Sequence, residues 1–372
     1  MQKLNILHIT YDMRIGGTEM VIKNIVESID KSQFDMHIFC IESPLGPWGE
    51  ALKKDGVPIS TRARQPGFDV SLIKSIRRYI NQHNIHIVHC HQYTPWVYGT
   101  FASIGTKAKV IFTEHGRFYP DSKSIKRRFV NPVLRLLTAK ITAISDATAN
   151  ALDEYEYIPI KYVETIYNGI DDKLPEIQHD IRKQLNFGEN TVVFGTIARF
   201  DPIKNHMMML DGFASLVEQN QDVHLIMVGD GECRAEIEAK IKALQIDAHV
   251  TLTGYIARPF DYLEAMDVFL LTSFSEGTSM TLLEAMRASK PCIVTDVGGN
   301  PEVIKDGESG VVIASNDVSG LSSAMFRIAA NFDYRQSLSE GAQNRFQLKF
   351  TSSIMCQAFQ RIYSSLINRE IS

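Results

Sequence analysis

The chain has 372 residues, of which 44% are hydrophobic and 22% are charged, and its formal net charge is −4. This length exceeds what one hydrophobic core usually supports, so length alone leads us to expect two or three domains. The composition argues against a disordered chain, and the net charge argues against a protein that coats nucleic acid. Five cysteines without a CxxC pair favour neither a disulfide framework nor a zinc site, and they indicate a reducing cytoplasm. We find no signal peptide and no run long enough to span a bilayer, so we predict a cytoplasmic location in which any membrane contact is peripheral.

Short apolar runs alternate with amphipathic helical patterns along the whole chain. Helical patterns occupy, for example, 19–29, 70–82, 207–219 and 233–244. Continuous runs rich in β-branched residues between such helices indicate buried parallel strands in βαβ units. The strand-like runs are 4–10, 36–41, 86–91, 110–113, 141–145, 163–167, 192–198, 223–229, 250–253, 268–272, 292–295 and 311–313.

The alternation restarts near Val192, after a polar stretch at 169–190. We therefore predict an α/β fold of two doubly wound, Rossmann-like domains, 1–175 and 190–350, facing each other across a cleft. A C-terminal helix at about 352–372 is expected to pack back onto the first domain. Ligands of doubly wound sheets collect beyond the carboxyl ends of the strands, so residues at strand ends are the candidates for function.

Two strand ends in the first half carry histidines. His89 and His91 share one face of a strand and could bind a metal ion, but no third ligand stands at a suitable spacing. We therefore predict no metal and an acceptor or structural role, with His91 as the acceptor-side candidate. His115 ends the next strand before a glycine, and Arg117 is a second acceptor-side candidate.

The segment 122–137 is basic and amphipathic, and Pro132 is expected to interrupt it. It could rest on anionic lipid headgroups, or it could form a solvated helix packed on its domain. Both interpretations remain open at this stage. Its basic residues are Lys123, Lys126, Arg127, Arg128 and Arg135.

Phosphate-binding candidates follow several strands. Arg199 and Lys204 could reach one phosphate from a single loop, with the arginine as a planar fork and the lysine as a point charge. Gly229 forms a tight turn that could border a nucleotide. Gly16 and Gly17, between the first strand and a helix, could let backbone approach a phosphate.

The most informative segment is 275–286, which follows the apolar run 268–272. A helix beginning near Ser279 or Thr281 would offer free N–H groups to a diphosphate. Glu276 and Glu284, eight residues apart, could hold hydroxyls on either side of it. The residues expected to line this anion site are Gly277, Thr278, Ser279, Met280 and Thr281.

These motifs, in this order, resemble glycosyltransferase family 4. The resemblance rests on Arg199 with Lys204, Glu276 with Glu284, and the 298–302 and 306–310 segments. It implies a GT-B fold and sugar transfer with retention. It also implies that Arg199 and Lys204 bind the diphosphate, that Glu276 contacts the donor sugar, that Glu284 contacts the ribose, and that His115 is the active-site histidine. Two residues depart from the family pattern, since Asn205 and Ser289 stand where many members have glycine.

The resemblance therefore predicts a glycosyltransferase that uses a nucleotide-diphosphate sugar and a glycan or lipid-linked acceptor. Family usage favours a UDP-sugar. It implies no metal cofactor, and the net charge of −4 leads us to expect no nucleic-acid partner. Two alternatives remain open at this stage: a sugar-nucleotide epimerase of the same architecture, and an inactive protein that binds nucleotide sugars or carbohydrate. Product analysis without an acceptor would separate the epimerase from the transferase.

Overall fold

The computed structural model describes residues 3–116 and 122–368. The chain forms two compact units. The first contains residues up to Asp171 together with the segment from Thr351 onward, and the second contains Asp172–Phe350.

The first unit is a seven-stranded sheet covered by helices. Its strands are β1 (Leu4–Thr10), β2 (Phe34–Cys40), β3 (Ile59–Thr61), β4 (Ile87–His91), β5 (Lys109–Glu114), β6 (Lys140–Ala143) and β7 (Val163–Thr165). Its helices are α1 (Gly17–Ser28), α2 (Pro47–Lys54), α3 (Val70–Gln82), α4 (Tyr93–Ser103), α5 (Ile125–Leu136), α6 (Asp146–Glu156) and α15 (Ser352–Asn368).

The second unit has a six-stranded sheet. Its strands are β8 (Val192–Ile197), β9 (Val223–Val228), β10 (Val250–Gly254), β11 (Val268–Leu271), β12 (Cys292–Thr295) and β13 (Gly310–Ile313). Its helices are α7 (Ile181–Gln184), α8 (His206–Val217), α9 (Arg234–Ala243), α10 (Phe260–Ala265), α11 (Met280–Arg287), α12 (Asn300–Val303), α13 (Val318–Ala330) and α14 (Phe332–Lys349).

Both sheets are parallel and doubly wound, as the sequence predicts. The strand orders are β3-β2-β1-β4-β5-β6-β7 and β10-β9-β8-β11-β12-β13. In each sheet the order reverses beside the first strand, between β1 and β4 and between β8 and β11. Such a reversal separates the two loops beyond the strand ends and forms the crevice in which doubly wound sheets bind ligands.

Each sheet is buried because its strands are apolar on both faces. Leu7, Val88 and Phe112 belong to the core of the first unit, and Phe194, Leu225 and Leu270 belong to the core of the second. The helix α15 belongs to the first unit, where the Ser352 amide donates to the Ile170 carbonyl at 2.7 Å and Tyr363 packs edge-on against Phe34.

Pro132 does not interrupt the basic segment, contrary to the sequence prediction, because α5 continues through it. Tertiary contacts hold this turn in place. The Asn131 amide donates to the Glu156 carbonyl at 2.9 Å, and the Tyr93 hydroxyl donates to Asn131 Oδ1 at 2.8 Å. Among the described residues, no helix combines the length and the apolar character that crossing a bilayer requires.

Candidate active site

The phosphate-binding candidates of the second unit meet at the strand-order reversal between β8 and β11. The loop after β8 carries Arg199 and Lys204, and the loop after β11 carries Glu276. Because β8 and β11 are hydrogen-bonded neighbours, the two loops leave the same sheet edge side by side. Residues that lie 72 positions apart in sequence are therefore brought into direct contact.

The loop after β8 owes its shape to Asp201 and Asn205. One oxygen of Asp201 accepts the Ile203 amide at 3.0 Å and starts a short 3₁₀ turn at Pro202–Lys204. Its other oxygen accepts from Arg199 Nε at 2.8 Å and from Arg199 Nη2 at 2.5 Å. Since the side chain of Arg199 is 77% exposed, this pairing orients a guanidinium that solvent and ligand can both reach.

Lys204 and Glu276 form an ion pair within the site. Lys204 Nζ lies 2.7 Å from Glu276 Oε1, and the Ser273 hydroxyl donates to the same oxygen at 2.6 Å. The loops are also joined through backbone, because the Phe274 amide donates to the Ile203 carbonyl at 2.7 Å. The Glu276 side chain is only 9% exposed, so its position is fixed before any ligand arrives.

Glycines let two further strand ends approach these loops. A Cβ at Gly298 would lie 1.9 Å from the Glu276 carbonyl oxygen, and a Cβ at Gly229 would lie 1.9 Å from the Ala198 carbonyl oxygen. Both glycines have positive φ, +51° and +150°. No other residue type fits such contacts without displacing backbone. The ends of β9 and β12 therefore pack directly on the two site loops.

The helix α11 begins at Met280, where the sequence predicts a helix start. Ser279 caps it by accepting the Leu282 amide, while Thr278 and Met280 are buried and Thr281 is half-buried. The remaining first-turn amides and the helix dipole favour an anion at this end. Gly277 lies in the loop between Glu276 and this helix start.

Glu284 lies in the second turn of α11 and is half-buried. Burial raises the pKa of its carboxyl, and the nearby Arg287 opposes that rise. Met280 and Glu284 are one helical turn apart and share a face. The helix thus carries a carboxylate one turn beyond its anion-binding end.

The predicted histidines of the first unit belong to a larger buried cluster. His115 Nε2 lies 2.8 Å from His91 Nδ1, and His91 Nε2 lies 2.8 Å from His8 Nδ1. His89 contacts the Tyr363 hydroxyl at 2.8 Å and the Thr113 hydroxyl at 2.6 Å. Burial lowers the pKa of His8 and of His115 to about 3 and holds the pKa values of His89 and His91 well below their usual range.

His8 is a member that sequence reasoning missed. It lies in β1 directly opposite His89 in the register of β1 and β4, and its ring stacks on that of His91 with centroids 5.0 Å apart. His8, His89 and His91 offer ring nitrogens within 4.8 Å of one another, which is a geometry that could hold a metal ion. However, five of their six ring nitrogens already have hydrogen-bond partners. The rings therefore also form a hydrogen-bonded network, which extends to His115.

The remaining predicted residues are placed as follows. Gly16 is the N-cap of α1 and Gly17 is its first residue, at the carboxyl end of β1. Arg117 lies outside the described residues, so the structure gives it no position.

Comparisons with known proteins match both units. The profile of Glycosyltransferase Family 4 matches residues 15–174, and that of Glycosyl transferases group 1 matches residues 177–345. N-acetyl-alpha-D-glucosaminyl L-malate synthase of Bacillus anthracis is 26% identical over 81% of this chain and 80% of its own length. UDP-Gal:alpha-D-GlcNAc-diphosphoundecaprenol alpha-1,3-galactosyltransferase of Escherichia coli is 26% identical over 88% of each chain.

Solved structures agree on the fold. A glycosyltransferase from Rickettsia africae superposes with a TM-score of 0.86 at 18% identity and covers 99% of each chain. Anabaena Alr3699/HepE in complex with UDP superposes with a TM-score of 0.85 at 20% identity, over 97% of this chain and 100% of its own. With two Rossmann-like units, the fold is that of the GT-B enzymes. The chain belongs to glycosyltransferase family 4 and is a glycosyltransferase.

Proposed function

We propose that this enzyme transfers a sugar, with retention of anomeric configuration, from a UDP-sugar to a glycan or lipid-linked acceptor without a divalent metal. One observation carries the proposal: the Lys204–Glu276 pair lies at the strand-order reversal, next to the capped start of α11. A cation, a fixed carboxylate and free helix amides are the groups that a sugar diphosphate needs.

The cations would stabilise the leaving diphosphate. Negative charge builds up on the phosphate oxygens as the glycosidic bond breaks, and fixed donors that face that charge lower the barrier. Arg199, held by Asp201, and Lys204, held by Glu276, need little reorientation to act in this way. They would take the role that a divalent cation has in metal-dependent transferases.

The two carboxylates would recognise the donor on either side of the diphosphate. Glu276 is fixed by Lys204 and Ser273 and would accept hydrogen bonds from hydroxyls of the donor sugar. Glu284, one turn into α11, would accept from the ribose. Gly229 and the backbone from Gly277 to Thr281 would border the nucleotide and its phosphates, and the Gly16–Gly17 turn at the start of α1 would be a further phosphate contact.

His115 would hydrogen-bond the transferred sugar. Its Nδ1 is buried and has no hydrogen-bond partner among the described residues. With a pKa of about 3, the ring stays neutral near pH 7 and can accept or donate one hydrogen bond without carrying charge. His91 would support His115 from the acceptor side, and the sequence adds Arg117 as another acceptor candidate.

UDP and a glycan or lipid-linked acceptor are the choices best supported by relatives. The Escherichia coli relative is named for a UDP-galactose donor and a diphosphoundecaprenol-linked acceptor, and the Anabaena structure holds UDP. A pathway of polysaccharide or lipopolysaccharide assembly is consistent with both. The five free, buried cysteines support a cytoplasmic location.

We also propose that α5 contacts the cytoplasmic face of the membrane. Ile125, Phe129, Val133 and Leu136 recur at spacings of four, four and three residues, and all are exposed. They form one apolar stripe on the solvent side of the helix. Lys126 and Arg128 are exposed beside it. This pattern favours the lipid-facing alternative over a solvated helix.

The proposal is tested by screening nucleotide sugars for thermal stabilisation and then assaying transfer with the stabilising donor. We expect one UDP-sugar to raise the melting temperature and EDTA to leave the transfer rate unchanged. Lys204→Ala should lower the transfer rate by about 100-fold, since it removes a cation that faces the charge developing on the diphosphate. Glu276→Gln should lower the rate to a similar extent, because it removes the carboxylate that would accept from the donor sugar and that holds Lys204 in place.

Lys240→Ala is the matched control, because Lys240 and Asp211 form a 2.6 Å ion pair elsewhere in the same unit. Its transfer rate should equal that of the wild type. An enzyme that ignored every UDP-sugar, or that lost activity in EDTA, would contradict the proposal. Conversion of the donor to an isomer without acceptor would instead identify an epimerase.

A further inference from the structure

A cavity of about 490 Å³ lies in the first unit between α5, the start of β6, β7 and α15. Its lining contains four cations, Arg135, Lys140, Lys161 and Arg361, and one carboxylate, Glu164. Glu164 is already paired with Lys140. The other three cations have no carboxylate partner among the described residues, so the cavity concentrates three positive charges that no described carboxylate neutralises.

The aromatic ring of Tyr162 organises two of these cations. The Arg135 guanidinium lies 4.1 Å from the ring centroid, and Lys161 Nζ lies 5.2 Å from it. Cation–π contact holds both groups near one ring without neutralising their charge. Arg361, on α15, adds a third cation from another element. An anion in this cavity could therefore accept hydrogen bonds from the Arg135 and Lys161 side and from Arg361 on α15.

The cavity and the groups proposed for catalysis in the same sheet lie toward opposite ends of the strands. Lys140 is the first residue of β6, whereas His91 is the last residue of β4 and His115 follows the end of β5. In a parallel sheet these positions lie at opposite ends of the strands. An anion bound in the cavity would therefore contact neither His91 nor His115, and its role would be attachment rather than reaction.

The cavity is lined in part by α5, the helix that carries the apolar stripe. At about 100° per residue, the four stripe residues Ile125, Phe129, Val133 and Leu136 fall within about 80° of one another. Arg128 and Arg135 border one side of the stripe, and Arg135 also lines the cavity. Apolar side chains at the depth of the acyl chains would therefore bring this basic cavity to the level of the phosphates.

We propose that the cavity binds the phosphate headgroup of an anionic phospholipid while the stripe of α5 lies in the same leaflet. This inference rests on the membrane contact proposed above, and it adds a specific headgroup site to it. The charge supports a lipid phosphate, because three cations that lack a carboxylate partner in the described part of the chain attract an anion. The adjoining exposed apolar stripe indicates that the anion is part of a bilayer.

Co-sedimentation with vesicles tests the site. The full chain is mixed with phosphatidylcholine vesicles and with vesicles in which a third of the lipid is phosphatidylglycerol. The wild type should prefer the anionic vesicles. Lys161→Gln with Arg361→Gln should weaken binding to them by about 30-fold, as expected for two cations near a charged surface.

The control is Lys74→Gln with Arg78→Gln. These are two exposed cations of α3, in the same unit and outside the cavity, and their loss removes the same net charge. Its binding should stay within about three-fold of the wild type, because surface charge away from the contact is screened. Circular dichroism of each variant confirms that the fold is retained. Equal weakening by the two double variants would overturn the headgroup site.

Two further arms separate this site from the membrane contact and from a soluble ligand. Phe129→Ser with Leu136→Ser should reduce binding to both kinds of vesicle. If only the Phe129→Ser with Leu136→Ser variant lost binding, the membrane contact of α5 would be supported and the headgroup site in the cavity would be rejected. If the wild type bound no vesicle, both would fall, while the donor screen would still test the transferase. Stabilisation by glycerol 3-phosphate that depends on Lys161 and Arg361, with unchanged vesicle binding, would reassign the cavity to a soluble anion.

Discussion

The tautomers of His8, His91 and His115 depend on one another. Each contact between two imidazole nitrogens needs one N–H donor and one lone pair, and a neutral ring has one of each. With contacts at 2.8 Å on both sides of His91, choosing the donor at one contact fixes the donor at the other. The Nδ1 of His115 accepts only if His115 Nε2–H donates to His91 and His91 Nε2–H donates to His8 Nδ1. The N–H of His8 is then on its Nε2.

His91 should therefore act as a positioning residue for His115. His91→Phe keeps the ring volume but removes the partner of His115 Nε2, and we expect kcat/KM to fall by about ten-fold or more because a misplaced group loses its alignment. His91→Gln can restore one hydrogen bond and should recover part of the loss. The measurement is transfer kinetics of both variants at saturating and limiting donor.

A purely structural role for His91 would give a different result. The two variants would then lose thermal stability in proportion to their activity, and glutamine would not rescue the rate selectively. Equal kinetics for His91→Phe and the wild type would reject the positioning role.

The sequence identified some members of this cluster and not others, for a physical reason. His89 and His91 alternate on one strand, so their shared face follows from the period of a β-strand. His8 is a lone histidine in an apolar run, and its place opposite His89 depends on which strands pair and in what register. Lys204 and Glu276 were each found from local motifs, but their contact depends on β8 lying beside β11.

At the scale of elements, the two departures from the family pattern fall at left-handed backbone positions. Asn205 has φ +50° and Ser289 has φ +56°. The side chain of Asn205 offsets the cost of this backbone conformation. It caps α8 by accepting the Met208 amide, and its Nδ2 donates to Asn316 Oδ1 at 3.1 Å. Ser289 ends α11 in a Schellman arrangement, with the Ser289 amide donating to Met286 and the Lys290 amide donating to Ala285.

Ser289→Gly should stabilise the second unit by about 0.5 kcal/mol. Glycine removes the cost of a left-handed L-residue, and part of that gain is offset by its greater freedom in the unfolded chain. Urea unfolding followed by circular dichroism measures the change. Ser215→Gly, in the interior of α8, is the control and should be destabilising by about the same amount. A lower midpoint for Ser289→Gly would contradict the assignment.

The strand and helix pattern could be predicted well because buried parallel strands and amphipathic helices have distinct periods. Several elements were not delimited from the sequence, and two of them show why. The strand β3 has only three residues, at the edge of the sheet. The helix α4 is buried over most of its surface, so it lacks the polar face that marks a helix in sequence. The order of the strands could not be predicted either, because local sequence patterns do not show which apolar faces pack together.

For the whole molecule, the histidine cluster predicts loss of stability in mild acid. The folded pKa of His8 and of His115 is about 3, below the value near 6.5 of an unfolded histidine. Between these two pKa values the unfolded state binds more protons than the folded state. The free energy of unfolding therefore decreases as the pH falls from 6.5 toward 3. At pH 5, one such histidine lowers the free energy of unfolding by about 2 kcal/mol.

Tryptophan fluorescence can follow this loss in the first unit alone. The chain has two tryptophans, Trp48 and Trp96, and both lie in that unit. Trp96 is buried and stacks on Phe112 at 4.3 Å. We expect the urea midpoint of this signal to fall between pH 7.5 and pH 5. An unchanged midpoint would show that the cluster is protonated in the folded state or is not buried as described.

The first unit is built from two separated segments of chain, and this has a consequence for synthesis. Tyr363 reaches His89, and Thr351 packs on Gly169, only after all of the second unit has left the ribosome. The second unit is one continuous stretch of chain, and it can fold while the first unit still lacks α15. Although domains generally fold from the N-terminus during translation, here the unit made first is completed last. Stalling the nascent chain before residue 351 should therefore leave the earlier unit sensitive to protease and the later one resistant.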